Sequence, residues 1–185
     1  MRVSEKKNKK KDLTMDLIPS FQVDHTRIVP GIYVSRTDEI GDDFATTFDV
    51  RMKRPNVEPA IHPNALHTIE HVIATFLRSD AEWKDRIVYW GPMGCLTGNY
   101  LIVKGRPTPQ EICPLLVRAF THLATYDGPV PGAQPVNCGN YLLHDLPMAR
   151  YEAQKFVDIL TTAPCFAYPT AARIVTEKGL VFHDS

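Results

Sequence analysis

Residues 67–71 read HTIEH, which puts two of the chain's seven histidines and a glutamate within five positions. On a helix, residues three and four apart share a face, so His67, Glu70 and His71 would point the same way. Two imidazoles one turn apart can bind a single metal ion, and a carboxylate beside them can take up or deliver a proton. Without a metal the same residues would be a polar helix face. A catalytic metal needs a third protein ligand and an open position. Cys138, Cys95, His144, His25 and His62 are the candidates. Thiolate suits a soft or borderline ion. Cys138 lies in VNCGNY, behind a loop rich in proline and glycine, where backbone could hold a ligand rigidly. Cys95 lies in PMGCLTG, between glycines that allow close approach of a substrate. Taken alone, each of these cysteines reads more simply as a buried inert thiol. Cys113 and Cys165 sit among apolar residues and read as core, and His144 as a supporting or structural residue.

These residues need elements to position them. Leu66, Ile69, Val72, Ile73, Phe76 and Leu77 form an apolar stripe at helical spacing around HTIEH. Asn64, after Pro63, is the expected N-cap, and the helix should end near Arg78 or Ser79. TTFDVRM (46–52) alternates, with Phe48, Val50 and Met52 on one side and Thr47, Asp49 and Arg51 on the other, which predicts a half-buried strand. RIVYW (86–90) and YLIVK (100–104) read as strands joined by GPMGCLTGN. TPQE (108–111) is a capping box that opens a helix reaching Tyr126, with Pro114 inside it. A proline- and glycine-rich loop (128–140), a helix over about Pro147–Leu160 and a short strand near Arg173–Thr176 complete the reading. Strands and helices mix without regular alternation. That predicts a single α+β domain, a mostly antiparallel sheet with helices packed on one face.

The chain has 185 residues, 44% of them hydrophobic and 23% charged, with 21 basic and 21 acidic side chains. This composition suits a soluble globular domain and gives no sign of a nucleic-acid or membrane partner. No apolar run approaches the ~18 residues that span a bilayer, and no hydrophobic stretch follows the basic MRVSEKKNKKKDLTM as a secretory signal would require. The expectation is a cytoplasmic protein with a disordered basic tail over 1–16 and one domain over 17–185. Its four cysteines would then be free thiols.

Five stretches together resemble the S-ribosylhomocysteine lyase family, the LuxS-type autoinducer-2 synthases. They are SFQVDHT (20–26), FDVRMKRPN (48–56), HTIEH (67–71), PMGCLTG (92–98) and CGNYLLHDL (138–146), in the family's order and with similar spacing. The resemblance implies His67, His71 and Cys138 as metal ligands and Cys95 and Glu70 as catalytic residues. It implies Ser20, His25, Arg51 and Arg78 as substrate contacts. It also implies an α+β fold and a homodimer with active sites at the interface. The implied cofactor is one divalent metal per subunit, iron in the native form, with zinc or cobalt as substitutes. Where many members have an aspartate and a serine shortly before PMGC, this chain has Tyr89 and Gly91.

The implied reaction cleaves S-ribosylhomocysteine to homocysteine and 4,5-dihydroxy-2,3-pentanedione. A thioether leaves readily only when it is β to a carbonyl, so the sugar carbonyl must first migrate along the chain through enediolates. Such a site needs a Lewis acid and two proton carriers. A Cys95 thiolate and Glu70 suit those roles, and Arg51 could keep the thiolate charged. Taken alone, Arg51 is a surface ion pair with Asp49, Arg78 a cation at a helix C-terminus, Ser20 a loop serine and His25 a surface histidine. Two other classes fit HxxEH. One is a metallopeptidase of the inverted type with Glu152 as third ligand. The other is a non-catalytic domain whose metal is closed off by Cys95 or His144.

Overall fold

The computed structural model describes residues 23–169. Ser20, the basic tail, the expected start of order at Leu17 and the expected strand near Arg173–Thr176 lie outside these residues. The element order is β1 (Gly31–Ile40), β2 (Asp43–Arg51), α1 (Pro63–Leu77), a 3-10 turn (Lys84–Arg86), β3 (Ile87–Pro92), β4 (Gly98–Lys104), α2 (Pro109–Thr125) and α3 (Leu146–Thr162). The strands form one antiparallel sheet in the order β1-β2-β4-β3. This is the expected α+β fold with an antiparallel sheet.

The sheet and the helices meet along one apolar face. Ile32, Phe48, Val50, Trp90, Leu101 and Val103 from the strands face Leu66, Ile69 and Ile73 of α1, Leu116 and Phe120 of α2, and Ala153 and Phe156 of α3. Trp90, Phe120 and Phe156 pack edge to face, with ring centroids 6.1 and 4.9 Å apart, an arrangement that suits their quadrupoles. The α2 capping box forms as expected, with Thr108 and Glu111 exchanging hydrogen bonds, and Pro114 is carried within the helix. Asp145 caps α3 by accepting from the Met148 N–H at 3.0 Å.

Three expectations change. β1 was not foreseen: its inner end, Gly31–Tyr33, is buried, but its outer half carries the run RTDE on a sheet edge. The helix at HTIEH is capped by His62, not Asn64. Pro63 takes the first helical position, where its missing N–H costs nothing, and His62 accepts from the Asn64 N–H at 3.4 Å. His62 is thereby placed at the helix start.

The third change concerns β2, which is not half-buried. Its polar face is also covered: Asp49 and Arg51 are only 3% and 2% exposed. The segment after α3 lies across that face. Ile32 N–H donates to the Cys165 carbonyl at 2.9 Å, and the Tyr168 ring stacks on Tyr33 with centroids 4.5 Å apart. Cys165 therefore sits half-buried on this covering segment, while Cys113 packs against the core as expected.

Just past β2, the Lys53 ammonium pairs with Glu152 of α3, both nearly out of solvent. Two charges taken from water need each other, and removing one leaves the other stranded. Lys53→Met should lower the unfolding free energy by about 3 kcal/mol in a urea titration, and adding Glu152→Met should recover most of it.

Candidate active site

His67 and His71 stand one turn apart on α1, facing the irregular loop between α2 and α3. Each ring is fixed by that loop. His67 Nδ1 lies 2.8 Å from the Leu143 carbonyl and His71 Nδ1 2.7 Å from the Pro131 carbonyl. A carbonyl only accepts, so Nδ1 carries a proton in both rings, and in the neutral imidazole Nε2 keeps a free lone pair. Cys138 brings its sulfur to 3.5 Å from His67 Nε2, and the Asn140 N–H donates to that sulfur at 3.4 Å. The loop holds this shape through short backbone turns, with Asn137 and Cys138 N–H both donating to the Gln134 carbonyl at 3.0 Å. Gly132, at φ +68 beside the His71 ring, supplies a left-handed conformation that other residues seldom adopt.

His144 joins the group: ligand atoms of His67, His71, Cys138 and His144 lie within 4.8 Å of one another. Its tautomer is also forced. The Thr68 hydroxyl donates to the Asn64 carbonyl and accepts the Asp145 N–H, so its 3.2 Å contact with His144 runs from the ring Nδ1–H to the hydroxyl. His144 Nε2 is then a buried acceptor with no partner among the described residues. Burial pushes the His144 imidazole below its ordinary pKa, and His67 and His71 add to the effect. Its ring stacks on His67 at 4.3 Å and 14°, whereas His71 stands at 90° to His67. One ion cannot lie in the planes of two parallel rings, so a single ion held by His71 and Cys138 could take only one of His67 and His144 as a further ligand. Two neutral imidazoles and a sulfur suit a borderline divalent ion and leave a position open.

Glu70 lies on the rim of the same centre. With His67, Cys138 and the turn residues Met93 and Gly94 it lines a cavity of about 500 Å³. Cys95 lies between Gly94 and Leu96 of that wall. Arg51 Nη1 approaches its sulfur at 3.6 Å and the Thr97 hydroxyl at 3.1 Å. Burial alone would raise the Cys95 thiol, but hydrogen bonds from the Thr97 hydroxyl and backbone, with the charge of Arg51, outweigh it and bring the thiol below its ordinary pKa. Leu96 holds a left-handed φ of +59 next to the thiol. Two hydrogen bonds impose it: Leu96 N–H to the Met93 carbonyl, and Ile61 N–H to the Leu96 carbonyl, each 2.9 Å.

Arg51 is not the surface ion pair its sequence context allowed. Its Nε and Nη2 donate in a fork to Asp49 at 3.0 and 2.6 Å, out of solvent. The other expected contacts stand apart. His25 places Nδ1 2.8 Å from the Val23 carbonyl and lines neither this cavity nor its neighbour. Arg78 caps α1 and donates to the Val88 carbonyl at 3.1 Å. Glu152, the third ligand a peptidase of the inverted type would require, is bound to Lys53 and is not in the cluster. Next to Val88, the Tyr89 phenol folds over Gly91 and fills the space a side chain there would need. Sequence reasoning passed over Thr97 and Thr68, which carry the hydrogen bonds to Cys95 and His144. Nothing in their local pattern marked them, because their partners arrive from other strands and loops.

Together the fold and this site define a class: a small α+β enzyme with one candidate metal centre built from a helix and a loop. Comparison with known proteins gives the family. The family model described as S-Ribosylhomocysteinase (LuxS) matches residues 18–163. The S-ribosylhomocysteine lyase of Phocaeicola vulgatus is 58% identical over 143 residues, 77% of this chain and 89% of that protein. Those of Porphyromonas gingivalis and Clostridium beijerinckii are 55% and 46% identical, over 77% and 91% of this chain and 90% and 99% of theirs. The chain belongs to the LuxS S-ribosylhomocysteinase family.

The turn bearing Cys95 ends at Gly98, which pairs with Arg51. A Cβ at Gly98 would run into the Val50 carbonyl and come within 3.1 Å of the Arg51 Cα, both backbone atoms that cannot swing away. Gly98→Ala should cost about 2 kcal/mol of stability in a denaturant titration, and should change the rate at which Cys95 reacts with a thiol reagent.

Proposed function

We propose that this chain is a carbon–sulfur lyase that cleaves S-ribosylhomocysteine to homocysteine and 4,5-dihydroxy-2,3-pentanedione. The observation that carries the reading is the convergence of His67, His71 and the Cys138 sulfur, with Nδ1 of both rings turned to backbone carbonyls. Its family membership supplies the substrate. In this reading His67, His71 and Cys138 hold one divalent ion, iron in the working enzyme, with zinc or cobalt able to replace it. Bound there, the ion would supply Lewis acidity for the carbonyl migrations.

The chain's own groups do the rest. Cys95, an exposed residue, as thiolate removes and returns carbon-bound protons. Glu70, on the cavity rim beside His67 and Cys138, moves protons among the hydroxyls and takes the last one before the thioether leaves. Arg51 keeps the Cys95 sulfur charged. Ser20 and His25 orient the ribose, and Arg78 receives the homocysteine carboxylate. The working unit is a homodimer with its active sites at the interface. Val136 and Leu142, 84% and 75% exposed on the loop that bears Cys138, favour such an interface. The catalytic domain spans 17–185, with 1–16 a separate basic tail. It works in the cytoplasm, where reducing conditions keep Cys95 and Cys138 as thiols. No helix among the described residues is long and apolar enough to cross a membrane.

The test is homocysteine release from S-ribosylhomocysteine by the iron-loaded dimer. Wild type should release it. Cys95→Ala and Glu70→Gln should each lose at least about a hundredfold in kcat while keeping their metal, and His67→Ala should lose the metal itself. No release by the fully metallated wild type would overturn the reading.

The pH profile follows from the thiol. Its pKa is lowered, the thiolate is the working form, and protonation on acidification removes it. The rate should therefore fall on the acid side, at a lower pH than an ordinary thiol would give. Weakening Arg51's hold, as in Arg51→Met, should move that fall to higher pH.

A further inference from the structure

The Thr97 hydroxyl sits between a group that can only donate and the sulfur. Arg51 Nη1 donates to Thr97 Oγ1 at 2.6 Å. A guanidinium has no lone pair to offer in return, so the hydroxyl cannot send its own proton that way. Thr97 is 7% exposed, and the one acceptor within hydrogen-bond reach of Oγ1 among the described residues is Cys95 Sγ, at 3.1 Å. The hydroxyl proton must therefore go to the sulfur.

We propose that Thr97 is a positioning residue for Cys95: saturated as an acceptor by Arg51, its hydroxyl donates to Sγ and presents the sulfur to substrate as an aimed thiolate. This deepens the lyase reading and rests on the role given there to Cys95. A thiol needs no donor and would compete for the hydroxyl's lone pairs, whereas a thiolate accepts from both Thr97 and Arg51.

The arrangement extends inward. Asp49 takes the other two guanidinium donors of Arg51, and the Tyr168 hydroxyl donates to the same carboxylate at 3.0 Å. Burial pushes the Tyr168 phenol far above its ordinary pKa, and Asp49 adds to this, so it stays protonated as a donor. Arg51 is thus held with Nη1 turned toward Thr97 and Cys95. Among the described residues, Arg51 of β2 and Tyr100 of β4 are the charged and titratable groups that act on the sulfur, and Asp49 of β2 and Tyr168 of the covering segment act on Arg51 behind it. Of these Arg51 alone contacts Cys95 among the described residues. Removing the Thr97 hydroxyl leaves all four in place.

The experiment follows alkylation of Cys95 by iodoacetamide against pH, in metal-loaded wild type, Thr97→Val and Thr97→Ser, with the modified peptide quantified by mass spectrometry. Thr97→Val keeps the shape and removes the proton donor. It should slow alkylation at neutral pH about tenfold, the worth of one hydrogen bond to a charged group, and move the profile to higher pH. Thr97→Ser keeps the hydroxyl and should keep the wild-type profile. If valine is not accommodated, Thr97→Ala removes the hydroxyl without adding bulk and should move the profile the same way. A wild-type profile in the variants lacking the hydroxyl overturns the proposal, as does a serine variant displaced as far as valine. Alkylation needs no turnover, so failure here is distinct from failure of the lyase reading, which homocysteine release by the wild type decides.

Discussion

A guanidinium taken out of water must have its donors met, and that requirement at Arg51 organises one side of this molecule. Asp49, two residues away on the same strand face, meets two donors in a fork, which fixes the plane of the group. The pair can exist only if something covers the sheet there, and the segment after α3 does so with Tyr168 stacked on Tyr33. The remaining donor nitrogen then has one direction left, toward the turn between β3 and β4. Burial works against the charge on Arg51, but the neighbouring carboxylate more than offsets it. A reactive thiol is thus tied to the sheet's second face and to the segment that seals it.

The opposite side solves a different problem with the same means. The loop between α2 and α3 has little regular structure, yet it must deliver a sulfur to two histidines on α1. Its carbonyls at Pro131 and Leu143 accept from the histidine rings, so the contacts that shape the loop also set the tautomers. Ligand geometry and loop conformation are one interaction seen from two ends. Asp145 adds a third tie: its N–H reaches the Thr68 hydroxyl and its carboxylate caps α3, so the loop leaves α1 and enters the next helix without slack.

Much of this was legible in the sequence, for reasons that differ by element. The α1 stripe and the α2 capping box are local patterns, and both appeared within a residue or two of their expected bounds. The convergence of His67, His71 and Cys138 was legible through motif resemblance, since no local pattern ties position 138 to 71. What escaped was non-local. The β1 edge strand carries too many charges to show an apolar period. The second face of β2 looked solvent-exposed because its cover comes from beyond residue 162, where nothing in the sequence announces a return to the sheet. Asn64 looked like a cap because capping statistics favour asparagine, but the proline before it moved the boundary to His62.

Tyr89 and Gly91 meet through a part of the surface that can yield. The phenol lies where a side chain at 91 would stand, but the ring is half-exposed and reaches that place with its far end. A larger residue at 91 would therefore displace a movable ring and leave the backbone of β3 where it is.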